Sequence, residues 1–281
     1  MSTRYSTLVS CAELRSLQAQ GVPLVLLDCG FELTDPESGE RAYAQGHLPG
    51  ALYAHLERDL AGTKTGANGR HPLPDRQALA ARAGDWGIAP AVQVVCYDAQ
   101  GMPYAARAWW LLRWLGHESV AVLDGGLPAW RAAGGELSTL PSAAAARPPY
   151  PAAAAALPTM DTAALLATLG SRPILDARAG ERFRGEVEAL DPVAGHIPGA
   201  RNRVFRDNLQ ADGRYKSAQV LRAEFEALGF DPSQVVHQCG SGVTACHNLL
   251  AMEHSGLRGS VLYPGSWSEW CADPSRPVAV G

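Results

Sequence analysis

No Cys-x-x-Cys pair occurs in this chain of 281 residues; its six cysteines (Cys11, Cys29, Cys96, Cys239, Cys246 and Cys271) are scattered, with no paired Cys/His spacing. That excludes a disulfide framework and a zinc site. No run of Lys or Arg is present and the net charge is −4, so nothing supports binding to a nucleic-acid backbone. No uninterrupted apolar span is long enough to cross a bilayer, and the opening Met1-Ser-Thr-Arg-Tyr-Ser6 is polar rather than leader-like. These absences lead to the expectation of a soluble, cytoplasmic protein. The composition is 47% hydrophobic and 19% charged, which excludes wholesale disorder and suffices for two cores.

Four blocks occur twice in the same order, offset by roughly 140 to 150 residues, a domain-sized interval. Val25-Leu-Leu-Asp28 returns as Ile174-Leu-Asp176, and Gly46-His-Leu-Pro-Gly-Ala51 as Gly195-His-Ile-Pro-Gly-Ala200. Val94-Val-Cys-Tyr-Asp98 returns as Val235-Val-His-Gln-Cys239, and the Trp-bearing run ending at Trp130 as the one ending at Trp270. Within each copy, short Val/Leu/Ile runs alternate with helical periodicities. Strands are expected near 24–28, 92–97 and 119–123, then 173–175, 235–238 and 260–263. Helices are expected near 11–17, 76–83 and 105–115, then 161–169, 217–228 and 244–254. Such alternation predicts an α/β fold in which each copy is a mainly parallel sheet flanked by helices. The expected domains are 1–140 and 159–281, joined by a Pro/Ala-rich linker at 141–158 that is kept extended by its prolines and draped over both.

Cys239 lies at a strand-to-helix turn, followed by Gly240-Ser-Gly-Val-Thr244. Backbone N–H groups of such a turn and the start of a helix favour an anion. The anion expected is the cysteine's own thiolate, whereas the bland alternative is a buried structural thiol. Asp98 stands at the matching place in the first copy, which therefore has no thiolate chemistry and is expected to supply walls to a cleft over the second domain's loop. A cysteine-dependent phosphatase requires an arginine six positions after the cysteine, where this chain has Ala245. Nothing positions a histidine base for a protease, and Cys246 lies too far into the following helix to resolve a disulfide. A thiolate that takes up one terminal sulfur and holds it as a persulfide fits the N–H groups of Gly240, Ser241, Gly242, Val243 and Thr244, with the Ser241 and Thr244 hydroxyls.

On the duplicated Gly-His-(Leu/Ile)-Pro-Gly-Ala blocks, the run Asp176-Ala-Arg-Ala-Gly-Glu-Arg-Phe-Arg-Gly185 and the loop Cys239-Gly-Ser-Gly-Val-Thr-Ala245, the chain resembles the two-domain rhodanese-like sulfurtransferases. The loop is most similar to that of the 3-mercaptopyruvate sulfurtransferases. Thiosulfate sulfurtransferases of this fold carry Arg-Lys where this chain has Gly240-Ser241. The resemblance implies two tandem rhodanese-like domains, the second catalytic through Cys239, with no metal or organic cofactor. It implies that Arg182 binds the donor's anionic group, and that His71 reaches the cleft in a proton relay with the loop serine and an acid, here Glu57 with Asp59 close by. A second arginine expected before the second Gly-His-Ile-Pro-Gly block is missing, because that place reads Asp191-Pro-Val193; Arg184 and Arg70 are the candidates to replace it. His47 and His196, duplicated in both copies, are expected to fix a turn in each.

The implied reaction moves sulfur from a small-molecule donor through a Cys239 persulfide to cyanide, a small thiol or a protein thiol such as thioredoxin. A loop whose own side chains are neutral suits a monocarboxylate better than the compact thiosulfate dianion, so 3-mercaptopyruvate is expected over thiosulfate. The rival from another class is a non-catalytic rhodanese-like binding or regulatory module, which the Asp98 copy would be on its own.

Overall fold

In the computed structural model, residues 4–281 are described; Met1–Thr3 of the polar opening lie outside them. The chain divides into two compact units. The first comprises 1–61, 74–156 and 211–215, and the second comprises 62–73, 157–210 and 216–281. The division at 156/157 falls inside the expected linker, but two short segments belong to the opposite unit from the one that sequence order assigns. Residues 62–73 are closed into a loop by the Gly62 N–H donating to the Pro72 carbonyl at 2.9 Å. Gly69 fits so tightly against Gly265 that a Cβ would stand 2.7 Å from its carbonyl oxygen. Tyr215 is fastened to the first unit through its N–H, which donates to Asp124 Oδ1 at 2.8 Å.

The first unit holds the strands β1 (Leu8–Val9), β2 (Leu24–Asp28), β3 (Leu52–Tyr53), β4 (Gln93–Tyr97) and β5 (Val120–Leu123), in the order β1-β5-β4-β2-β3, all parallel. The second holds β6 (Ile174–Asp176), β7 (Ala200–Asn202), β8 (Val236–Gln238) and β9 (Val261–Leu262), in the order β7-β6-β8-β9, again all parallel. Thr159 bridges Leu262 in the place that β1 takes beside β5, so the two sheets share one plan. Every residue of β4 and β8 is buried, because helices cover both faces of a parallel sheet and neither face can be polar. The edge strands β1, β3 and β7 were not expected from the sequence; they are two or three residues long, too short to show a period.

Helix boundaries follow local chemistry. Ser10 and Glu13 form a reciprocal capping box before Cys11–Ala19. Pro103 opens the helix Pro103–Leu115, and Gly116, with φ of 100°, closes it. The segment 141–156 is irregular and is anchored within the first unit: Arg147 and Tyr150 donate their N–H groups to the carbonyls of Gly84 and Ala80, each at 2.8 Å. A Cβ on Gly84 would come within 2.5 Å of the Pro148 carbonyl oxygen, so this close approach depends on glycine. His47 and His196 play one part in both copies. Each ring lies with its Nδ1 2.8 Å from a carbonyl (Tyr43 or Phe183) and stacks on that same residue's ring at 3.8 Å between centroids.

His237, in β8, is wholly buried against Met252 Sδ at 3.1 Å, and burial pushes its pKa down from 6.5 to about 3. The unfolded chain therefore takes up a proton near pH 6.5 that the folded one refuses until about pH 3. The stability contributed by neutral His237 is full above pH 6.5 and falls as the pH drops towards 3. We expect His237→Leu to flatten the dependence of the melting midpoint on pH between 7 and 4. A variant profile parallel to the wild type would refute the assignment.

Candidate active site

Cys239 follows the last residue of β8, and the helix Ala245–His254 begins six residues on. The loop between them turns on Gly242, whose φ of 76° is left-handed and whose missing Cβ would lie 2.3 Å from the Pro264 carbonyl oxygen. Cys239 is buried, at 2% exposure. Its N–H donates to Ser266 Oγ at 3.1 Å, and its carbonyl accepts from the Trp267 N–H at 3.0 Å. Ser266 sits at a φ of 55°, uncommon for a residue other than glycine, and its hydroxyl also donates to the Tyr263 carbonyl at 3.0 Å. The sequence carried no signal for this support, since a serine near a Trp run has many roles.

The first unit shows what such a loop holds. The Asp98 carboxylate accepts four backbone N–H groups: Gln100 and Met102 on Oδ1 at 2.9 and 2.8 Å, and Tyr104 and Ala105 on Oδ2, both at 3.0 Å. Burial pushes this carboxyl up, and the four amides pull it back only in part. The Asp98 carbonyl accepts from the Leu127 N–H at 2.9 Å, as the Cys239 carbonyl does from Trp267. In the second unit the anion position at the end of the strand is given to a thiol. Cys246, the nearest other cysteine in sequence, is spoken for: its thiol donates to the Gly242 carbonyl at 3.3 Å.

Side chains from three segments meet around the loop. Ser241 Oγ lies 2.8 Å from His71 Nδ1, and both are buried. His71 arrives on the 62–73 loop, together with Arg70, whose N–H donates to Ser268 Oγ at 3.0 Å. Arg182, at the end of a single helical turn Gly180–Phe183, clasps Glu188: its Nε stands 3.2 Å from Oε2, and its Nη2 2.7 Å from Oε1. Arg182 Nη2 also reaches Asp191 Oδ2 at 3.1 Å, while Asp191 Oδ1 takes Arg70 Nη1. Although burial pushes Glu188 up, Arg182 and the N–H groups of Leu190 and Asp191 hold its carboxyl below the usual carboxylate range. Arg178 completes the series, with Nη1 at 3.8 Å from Glu188.

A Cβ placed on Gly240 would lie 2.8 Å from Arg70 Nη2 and 3.5 Å from Arg182 Nη1. Two guanidinium groups therefore stand at the residue next to Cys239, and glycine is what leaves them room. Arg184 is not one of them; it is half-exposed and pairs with Glu186, with Nε at 2.7 Å from Oε1. Glu57 belongs to the first unit, where its N–H donates to His55 Nδ1 at 3.1 Å. Asp59 is engaged there too, accepting the His55 N–H at 2.8 Å and lying 3.1 Å from Arg82 Nε. Glu188 and Asp191 were not among the expected site residues. The Asp-Pro pair at 191–192 marked the segment, but their role depends on where three arginines converge.

A family model described as the rhodanese-like domain matches residues 10–133 and, again, 161–273. The chain belongs to the rhodanese-like family. Its two rhodanese-like domains correspond to the two copies of the parallel sheet. The chain is 51% identical over 269 residues to a "Probable 3-mercaptopyruvate sulfurtransferase" of Pseudomonas aeruginosa, covering 92% of this chain and 93% of the relative. It is 35% identical to a thiosulfate sulfurtransferase of Cricetulus griseus, over 93% of this chain and 90% of that one. Among solved structures it is similar to the 3-mercaptopyruvate sulfurtransferase from Leishmania major, with a TM-score of 0.84 at 30% identity, covering 94% of this chain and 74% of the other. No described helix of this rhodanese-like chain is long and apolar enough to cross a membrane.

Proposed function

We propose that the chain is a sulfurtransferase that takes sulfane sulfur from 3-mercaptopyruvate onto Cys239 and passes it to cyanide, a small thiol or a protein thiol. The observation that carries this reading is the pairing of one cysteine in an anion-holding loop with two cations at Gly240. The Cys239 thiolate attacks the donor's sulfur, a Cys–S–S bond forms, and the donor's carbon–sulfur bond breaks. The electron pair of that bond leaves on carbon as the enolate of pyruvate, and the donor's thiol proton ends on the product's methyl carbon. We assign the passage of that proton to the Ser241–His71 pair, whose 2.8 Å separation suits a hydrogen-bonded relay. Glu57 is the acid that the resemblance assigns to this relay.

The loop amides of Gly240 to Thr244 hold the persulfide anion, as the amides around Asp98 hold a carboxylate in the first domain. Arg182 helps to anchor the donor's carboxylate, and Arg184 is the weaker candidate because it is half-exposed and is not among the groups that stand at Gly240. The donor preference follows from where the charge lies. In thiosulfate the anionic sulfonate is bonded directly to the transferred sulfur, whereas in 3-mercaptopyruvate two carbons separate the sulfur from the carboxylate. Cations beside the loop, with uncharged side chains within it, favour the longer donor. All six cysteines are free and buried, which accords with a reducing compartment, and we place the protein in the cytoplasm.

Steady-state kinetics with cyanide as acceptor test the reading. The expected kcat/KM is at least about tenfold higher for 3-mercaptopyruvate than for thiosulfate, and Arg182→Ala raises the KM for the former by roughly tenfold or more. Preference for thiosulfate would overturn the donor, and no transfer from either would favour a binding module.

A further inference from the structure

We propose that Arg70 is the principal anchor for the donor's carboxylate, and that Asp191 positions it; this deepens the donor reading above and rests on it. Hydrogen-bond accounting distinguishes the two arginines at Gly240. Arg182 spends its side-on edge, Nε with Nη2, on Glu188, and Nη2 again on Asp191, so only Nη1 is left towards Gly240. Arg70 uses Nη1 for Asp191 and leaves the whole Nε–Nη2 edge unspent. Its Nε is shielded from solvent and has no hydrogen-bond partner, and its Nη2 is the atom that a Cβ on Gly240 would meet at 2.8 Å.

A buried guanidinium N–H without an acceptor is destabilising, and an arriving carboxylate removes that cost. The side-on edge is also the geometry in which arginine takes a carboxylate through two parallel bonds. The Asp191 side chain is 3% exposed, and one of its oxygens goes to each arginine, so it locks both guanidinium groups at a fixed spacing. Arg70 is held from the backbone as well, through its N–H on Ser268 Oγ and the close seat of Gly69 against Gly265. An arginine so fixed loses little freedom on binding. Because Arg70 comes from the 62–73 loop and not from the segment around Asp191-Pro-Val193, the site recovers a second cation where the sequence has lost one.

The test is steady-state kinetics of Arg70→Met, Arg70→Lys and Asp191→Asn with 3-mercaptopyruvate, together with product inhibition by pyruvate, which carries the carboxylate but no sulfur. Arg70→Met is expected to raise KM roughly 10–100-fold, with kcat falling far less, and to raise the inhibition constant of pyruvate in parallel. Arg70→Lys keeps the charge without the fork and should raise both by about fivefold; Asp191→Asn should raise both several-fold. A folded Arg70→Met with KM and pyruvate inhibition within about twofold of wild type would overturn the assignment, and the same result in Arg70→Lys would do so if the methionine variant fails to fold. Wild-type preference for thiosulfate would instead remove the donor reading itself, so the two failures are separable.

Discussion

Cys239→Ser is expected to abolish sulfur transfer, lowering turnover at least about 10⁴-fold, and to leave no added sulfur on the protein. Serine is nearly the size of cysteine, and the backbone at 239 is held through its N–H on Ser266 and its carbonyl from Trp267, so the loop keeps its shape. What disappears is the sulfur atom that forms the bond to the transferred sulfur. No other thiol is poised to substitute. Cys246 is wholly buried and donates to the Gly242 carbonyl, and burial pushes the thiols of Cys11, Cys29 and Cys271 up, away from thiolate. Intact mass measurement after exposure to donor should show one added sulfur atom on the wild type and none on the variant. Persistence of the added mass in Cys239→Ser would move the persulfide to another cysteine and sink the proposed mechanism.

The second large effect is on stability. Asp176→Ala should cost about 3–5 kcal/mol, because it leaves the Arg178 guanidinium buried without its counter-ion. Asp176 has no solvent exposure and Arg178 only 3%. The carboxylate takes the Arg178 Nε at 3.0 and 3.1 Å, its Nη2 at 2.7 Å and its backbone N–H at 2.9 Å. Arg178 also donates to the Gly195 carbonyl at 2.8 Å, and its guanidinium lies over the Trp267 ring, 4.9 Å from the centroid. Breaking this pair loosens both the second Gly-His-Ile-Pro-Gly turn and the Trp267 support of Cys239. The melting midpoint of the second domain should fall by on the order of 10 °C. A double variant, Asp176→Leu with Arg178→Met, should recover much of the loss, since a buried pair replaced together leaves no orphan charge. A single variant melting within about 2 °C of wild type would show that the cation finds water or another acid.

The same pair illustrates how far the sequence could be read. Asp28 and Asp176 stand out as duplicated strand ends, but only the second has an arginine two residues on; Gly30 occupies that place in the first copy. The repeat was legible because both copies bury matching faces, and burial constrains residue type at each position. The strands β2, β4, β5, β6, β8 and β9 were legible for the same reason, and the helices Ser38–Gln45 and Ser266–Trp270 were not, being short and dictated by what they pack against. Cys239 and its loop were legible because a strand-to-helix turn with glycines has few uses.

The sequence by itself determined the doubled α/β plan, and it set one cysteine, Cys239, against Asp98 at the matching strand ends of the two copies. These are local or periodic properties, written in residue type and spacing. Tertiary structure alone decided which cations stand beside Cys239. Arg70 and Arg184 are equally charged and equally plausible on paper. One is aimed at Gly240 because the 62–73 loop folds into the second unit and Asp191 holds its guanidinium, while the other lies half-exposed beside Glu186. A charge acts over a few ångströms, and separations of that size between residues more than a hundred positions apart are fixed only when the chain has packed.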